Sequence, residues 1–415
     1  MRTEALIDAG PTGIVLAGGG ARGAYEAGVV SVLLPELERR GERPTLMVGT
    51  SVGAINTAFL GCDQHLDAQA AVEVMIAHWR EVTKHRVLRP LVGRHLPVTA
   101  LRYAAEILSV PGVRVSGLLD PTPLARSLDG WLDFDSLHRN VSEGIVDSVA
   151  VIATAARSGR SVAFREGAEP SAAHRSHVID YVDTRIASEH VRASAAIPIA
   201  FPPVRVEAPR EARGWYVDGG TRLNTPIKPA LDLGAKRLVV VATDSIDEPS
   251  EESGRYECDP PDFGDGALHL LNGALVDPLI EDLRMLGNVN AFFTERAPGA
   301  KRYREARGKH PYRVVPYLFV GPQRRGAIGA LATEVFRSRY GGLKGLRSPD
   351  FPLLRRLIGG DGPAHGELLS YLFFDPEFIE ELILMGIRDA RRCVASAAEG
   401  DLWRTEPLDT FLTVS

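Results

Sequence analysis

A serine, a carboxylate and two glycine-rich turns are the residues here whose types and spacing could do chemistry. Ser51 lies in Gly49-Thr50-Ser51-Val52-Gly53, a GxSxG match between an apolar run that reads as a strand and a small-residue run that reads as a helix. Gly49 and Gly53 relieve crowding at a sharp strand-to-helix turn, which projects the hydroxyl at the positive end of the helix. The bland alternative is a helix N-cap beside packing glycines. Upstream, Gly18-Gly19-Gly20-Ala21-Arg22-Gly23 leaves another strand and opens another helix. Its backbone N–H groups suit a phosphate or a developing oxyanion. Asp218, followed by Gly219 and Gly220 at a strand end, is the candidate base for Ser51; the plainer reading is an Asp-Gly turn.

The phosphate and oxyanion readings have different corollaries. Gly18, Gly20 and Gly23 satisfy the GxGxxG pattern of dinucleotide folds. Those folds also place an acid at the end of the second strand to hold ribose hydroxyls. Here that strand ends in Gly49-Thr50-Ser51, and Glu38 and Glu42 precede it. A P-loop fares worse, because no GK[ST] follows the glycines. The oxyanion reading expects the glycine loop beside the end of the next strand, where GxSxG stands. Amides of Gly19, Gly20 and Ala21, with that of Val52, would then surround a tetrahedral intermediate.

The elements that must position these residues read as strands interleaved with helices, hence an α/β fold with a mainly parallel sheet flanked by helices. Strands are expected from Thr12, at 45–49, 148–157, 161–165, 215–217, 236–244 and 313–320, with a long helix over 267–293. Several of these runs are continuously apolar, as in strands buried on both faces. Residues 12–245 are expected to form the core, with 63–147 a helical insertion. An acidic Pro/Gly-rich loop follows at 246–266. Residues 267–415 read as a mostly helical extension that partly completes the core.

Bulk properties exclude several classes. The 415 residues are 45% apolar and 24% charged, which is globular composition, and the net charge of -5 supplies no field for nucleic acid. The three cysteines, Cys62, Cys258 and Cys393, are scattered and form no CxxC pair, so a reducing cytoplasm is expected. Cys62 reads as a buried inert thiol. His174, His177 and His190 lack ligand spacing, so no metal site is expected. The first residues carry no secretory pattern, and the apolar stretches are too interrupted to span a membrane.

Four blocks in order, GGGARG at 18–23, GTSVGAIN at 49–56, ASAAIP at 193–198 and DGGTRLNTP at 218–226, resemble the patatin-like phospholipase family. The segments LVDPLIEDLRMLGNVN and LLSYLFFDPEF are similar to bacterial members with a C-terminal extension. The resemblance implies a Ser51–Asp218 dyad without histidine, an oxyanion hole from Gly18 to Ala21, and Arg22 in the family's basic position beside it. It also implies hydrolysis of a phospholipid or neutral lipid ester through an acyl-enzyme, with no metal or organic cofactor. A Ser-His-Asp triad using His269, His310 or His365 stays open, as do a nucleotide-binding protein and a catalytically silent scaffold.

Between Lys84 and Arg114 six basic residues (Lys84, Arg86, Arg89, Arg94, Arg102, Arg114) face one acid, Glu106. Within it, Leu101, Ala104, Ala105 and Leu108 line one face of an expected helix. The segment is expected to act as a lid and to make peripheral membrane contact, or equally to be a solvated helix packed on the core.

Overall fold

In the computed structural model, residues 10–89, 117, 119–168, 178–246, 266, 269, 273, 276–294, 302, 306, 313–341, 363–397 and 402–406 are described. The expected amphipathic helix around 101–108 and most of the acidic loop lie outside these residues.

Among the described residues nine strands form one sheet, β1 (Thr12–Leu16), β2 (Leu46–Thr50), β3 (Ser148–Ala155), β4 (Ser161–Gly167), β5 (Ile179–Asp183), β6 (Val204–Val206), β7 (Gly214–Asp218), β8 (Arg237–Val241) and β9 (Tyr317–Val320). The spatial order is β5-β4-β3-β2-β1-β8-β9, with β7 pairing β3 and β6 pairing β7. Neighbours from β3 through β9 along this path run parallel, as do β4 and β5. The β3–β4, β3–β7 and β6–β7 pairs are antiparallel. The sheet is therefore mixed and mostly parallel.

Helices cover both faces, which explains the unbroken apolar runs. In β1, Ile14 and Leu16 enter one buried cluster and Val15 enters the other. Between β1 and β2 runs α1 (Gly23–Arg39), and between β2 and β3 run α2 (Val52–Asp63), α3 (Ala68–Glu81), α4 (Lys84–Val87), α5 (Thr122–Trp131) and α6 (Phe134–Ser142). The described part of 63–147 holds helices and no strand. Later come α7 (Ser188–Ser194), α8 (Ile227–Asp232), α9 (Asp277–Thr294), α10 (Ala327–Tyr340), α11 (Pro363–Ser370) and α12 (Pro376–Ala397).

The C-terminal residues are built into this core. β9 extends the sheet beside β8, and Phe378, Leu382 and Ile383 of α12 are buried in the same cluster as α1. Tyr25 of α1 donates its hydroxyl to Asp389 of α12 at 3.0 Å. Fully burying each such Phe, Leu or Ile contributes about 1.5–3 kcal/mol. Among the described residues no helix is long and apolar enough to cross a membrane.

One detail of register places the site. Along the same edge of β3, β2 is hydrogen-bonded as far as Ile152 and β7 takes over from Ala153. Because β2 is parallel and β7 antiparallel to β3, the two strands run head-on towards each other. Their ends, Thr50 and Asp218, meet.

Candidate active site

Ser51 occupies the turn where β2 ends and α2 begins, with φ 55° and ψ -123°. This is a positive-φ conformation that non-glycine residues rarely hold. The turn is tight enough that a Cβ on Gly53 would lie 2.2 Å from the Leu16 carbonyl oxygen, and one on Gly49 would lie 2.2 Å from that of Gly53. Those glycines therefore let the elbow pack directly on the end of β1, whose continuation is the glycine loop. Ser51 N–H donates to Ser194 Oγ at 2.8 Å, and that hydroxyl donates to Ile152 O at 2.5 Å. Ser194 thus pins the strained residue into the gap where β2 stops.

Ser51 Oγ donates to Asp218 Oδ2 at 2.6 Å, and both residues are buried. The other carboxylate oxygen accepts from Gly220 N–H at 2.7 Å, and Asp218 N–H donates to Ala196 O at 2.8 Å. Gly219 packs over the Ile152 carbonyl, where a Cβ would lie 2.3 Å away. Burial pushes the Asp218 carboxyl up to about 7, against the opposing pull of the Ser51 and Gly220 hydrogen bonds. No histidine stands between serine and carboxylate. His269 and His365 are described elsewhere in the chain, and His310 lies outside the described residues.

The glycine loop comes to the same place but not with all its amides. Gly18 N–H donates to Asn224 O at 3.2 Å, and Ala21 N–H donates to Tyr371 O at 2.9 Å. Gly18 and Ala21 therefore have their donors occupied by the protein itself. Gly19 and Gly20 precede and open a short 3-10 turn, and Val52 opens α2, so these amides lack intrahelical partners. Gly18 O is held by Thr243 Oγ1 at 3.1 Å and by Asn224 Nδ2 at 3.4 Å. Arg22 is buried behind the loop, facing Asp244 and the C-terminal segment.

Beside the dyad opens a narrow apolar cavity of about 50 Å³. Gly20, Ser51 and Val52 line it together with Ile55, Phe59, Trp79, Leu128, Trp131, Phe201, Leu372 and Phe374. Trp79, Leu128 and Trp131 come from the helical insertion. His78 also lines it, stacked on Phe59 with centroids 5.1 Å apart, and burial lowers its pKa.

Sequence reasoning missed Ser194, Asn224, Thr243 and Tyr371. Ser194, Asn224 and Tyr371 fall inside the quoted segments ASAAIP, DGGTRLNTP and LLSYLFFDPEF, which do not reveal their roles. Part of the basic segment is also internally paired, Arg86 with Glu81 at 3.3 Å and Arg89 with Asp120 at 2.8 Å, through acids just outside the stretch. Cys62 is buried, and desolvation raises its thiol pKa well above normal. Among the described residues no group of three or more His, Cys, Asp or Glu is placed to hold a metal ion.

Among solved structures the chain is similar to VipD from Legionella pneumophila, at 13% identity and TM-score 0.36, covering 93% of this chain and 67% of that one. It is also similar to human GIVD cytosolic phospholipase A2 in complex with methyl gamma-linolenyl fluorophosphonate, at 14% identity and TM-score 0.39. That match covers 96% of this chain and 59% of the human chain. No curated protein matches the chain in sequence. The profile of the patatin-like phospholipase family matches residues 14–231, just over half of the chain and all four sequence blocks, so the chain belongs to the patatin-like phospholipase family.

Proposed function

We propose that this chain is a serine acyl hydrolase that cleaves carboxylic esters of lipids through an acyl-enzyme on Ser51, with Asp218 as the base. The observation that carries the reading is the 2.6 Å hydrogen bond to a buried carboxylate from the hydroxyl of Ser51, a residue that also lines an apolar cavity. The apolar lining suits the acyl chain of a phospholipid or another acyl-ester lipid, because such a chain gains by leaving water and asks for no polar partner.

In this reading Ser51 Oγ attacks the ester carbonyl carbon while its proton passes to Asp218 Oδ2. A carboxylate with a pKa near 7 accepts that proton far better than one near 4. Negative charge develops on the carbonyl oxygen, where the amides of Gly19, Gly20 and Val52 are the available donors. Collapse of the intermediate expels the alcohol, which takes the proton from Asp218. Water then attacks the acyl-serine with Asp218 again as base, and as the acid leaves Asp218 returns the proton to Ser51 Oγ. The chain's own residues carry every step, and no cofactor is invoked.

Work in the cytoplasm and peripheral membrane contact through 84–114 belong to the same proposal, the latter resting on the local excess of basic residues. A nucleotide at the glycine loop finds less support. Arg22, the loop's only cation, is engaged by Asp244 and Glu367, and β2 ends without an acid.

The test is turnover of a lipid and ester panel by wild type, Ser51→Ala and Asp218→Asn, with covalent labelling by a fluorophosphonate probe. Both substitutions should abolish turnover, and Ser51→Ala should abolish labelling. Wild-type turnover in both variants, or tight dinucleotide binding without esterase activity, would overturn the reading.

A further inference from the structure

The family match ends at residue 231, yet a segment far beyond it touches the glycine loop at three levels. At the backbone, Ala21 N–H donates to Tyr371 O at 2.9 Å. Gly20, with φ +59°, approaches so closely that a Cβ there would lie 2.1 Å from the same oxygen. At the side chains, buried Arg22 spreads its guanidinium across the segment. Its Nε donates to Ser370 Oγ at 2.8 Å, its Nη2 donates to Glu367 O at 3.1 Å and pairs with the Glu367 carboxylate, and Nη1 binds Asp244 Oδ1 at 2.6 Å. The Tyr371 ring lies under the guanidinium, 4.1 Å from ring centroid to Cζ. At the cavity, Leu372 and Phe374 form wall next to Gly20 and Ser51.

We infer that residues 367–374 are a working part of the active site: Glu367 and Tyr371 are positioning residues that hold the Gly19–Gly20 amides towards Ser51, and Leu372 and Phe374 set acyl-chain fit. The inference rests on the acyl-hydrolase reading and extends it. Gly20 has no side chain to pack, so nothing intrinsic fixes its amide; the fixed point must come from outside the loop. Tyr371 O supplies it from one side. Arg22, two residues on, is tied to Glu367, whose Oε1 in turn accepts from Gly329 N–H at 3.0 Å. The chain of contacts therefore ends on α10, a rigid element, and not on another loop. Breaking this pair from the Glu367 side is costly, because the surviving guanidinium is buried and loses a compensating charge.

Glu367→Ala, Glu367→Gln and Leu372→Trp test the inference against wild type, using kinetics normalised to the Ser51 sites titrated by a fluorophosphonate probe. Glu367→Ala should lower kcat per titrated site by about 10- to 100-fold with KM within about twofold of wild type, the signature of misplaced transition-state donors. Glu367→Gln keeps the hydrogen-bonding shape and should recover much of that loss. Amide exchange at Ala21 should speed up in Glu367→Ala. Leu372→Trp should move the preferred ester to shorter acyl chains. An unchanged kcat per site in folded Glu367→Ala, or an unchanged chain-length profile in Leu372→Trp, would overturn the corresponding half. If wild type shows no Ser51-dependent ester cleavage, the reaction assignment falls, whereas unchanged Ala21 exchange in Glu367→Ala sinks the positioning claim by itself.

Discussion

Ser51 and Asp218 are 167 residues apart in sequence and joined by a 2.6 Å hydrogen bond because two strands meet head-on along β3. The pairing buries the carboxylate, and burial raises its pKa to about 7. As the proposed base, Asp218 works only when ionised. The kcat/KM for a soluble short-chain ester should therefore rise with pH and level off above a midpoint near 7. A profile measured from pH 4 to 9 checks this, and a midpoint in the ordinary carboxylate range near 4 would contradict it.

The same shift predicts a trade between activity and stability. A carboxyl whose folded pKa is raised contributes stability in full below its unfolded value, and this is lost as pH climbs through the folded value. Asp218→Asn never ionises. Its stability relative to wild type should therefore grow between pH 5 and pH 9, by on the order of a few kcal/mol for a shift of this size. Turnover should fall by at least about 100-fold, as expected for loss of a general base. Denaturant titrations at both pH values provide the check; a stability difference that does not vary with pH would refute the linkage.

Much of this site is legible in the sequence because its parts are local. Strand, glycine turn and helix recur as contiguous patterns around Gly18–Gly23 and Gly49–Gly53, and the central strands are unbroken apolar runs. The edge was harder. β5 reads IDYVD, with only Ile179 fully buried, and β6 is three residues long, so neither carries a strand signal. The expected long helix is described over Asp277–Thr294, and residues 269 and 273 within its expected range are helical as well. Partners set by three-dimensional register leave no local trace. Nothing near Tyr371 announces that its carbonyl will meet Ala21, and nothing near Ala21 announces that its amide will be spent there. Glu81 and Asp120 likewise neutralise Arg86 and Arg89 from outside the stretch that looked basic.

Backbone strain at Ser51 separates two inactive variants. Alanine at this position keeps the cost of the positive-φ conformation, about 1–3 kcal/mol. Glycine removes it and gives back roughly 0.5–1 kcal/mol in chain entropy. Ser51→Gly should thus be more stable than Ser51→Ala by about 1 kcal/mol, with neither turning over ester. Urea denaturation of the pair decides this, and a less stable glycine variant would argue that the turn is unstrained.

Glu26 lies one turn into α1, wholly buried behind the glycine loop. Its Oε2 accepts from Asn56 Nδ2 at 2.9 Å, and Asn56 Oδ1 accepts from Trp79 Nε1 at 2.9 Å, so the carboxyl connects through α2 to the cavity wall. Desolvation raises its pKa well above normal, more than the Asn56 and Ala17 hydrogen bonds lower it. Desolvation therefore favours the protonated form of Glu26 in the folded protein. By the same linkage its contribution is full below the unfolded pKa and disappears as pH rises through the raised folded value. Glutamine copies the neutral form and still accepts from Asn56. Glu26→Gln should match wild type near pH 4, at the unfolded carboxyl's own pKa, and exceed it increasingly as pH rises above that, which paired melting curves from pH 4 to 9 would reveal. A Tm difference independent of pH would mean that Glu26 is already ionised, and that its charge is balanced by something other than Asn56.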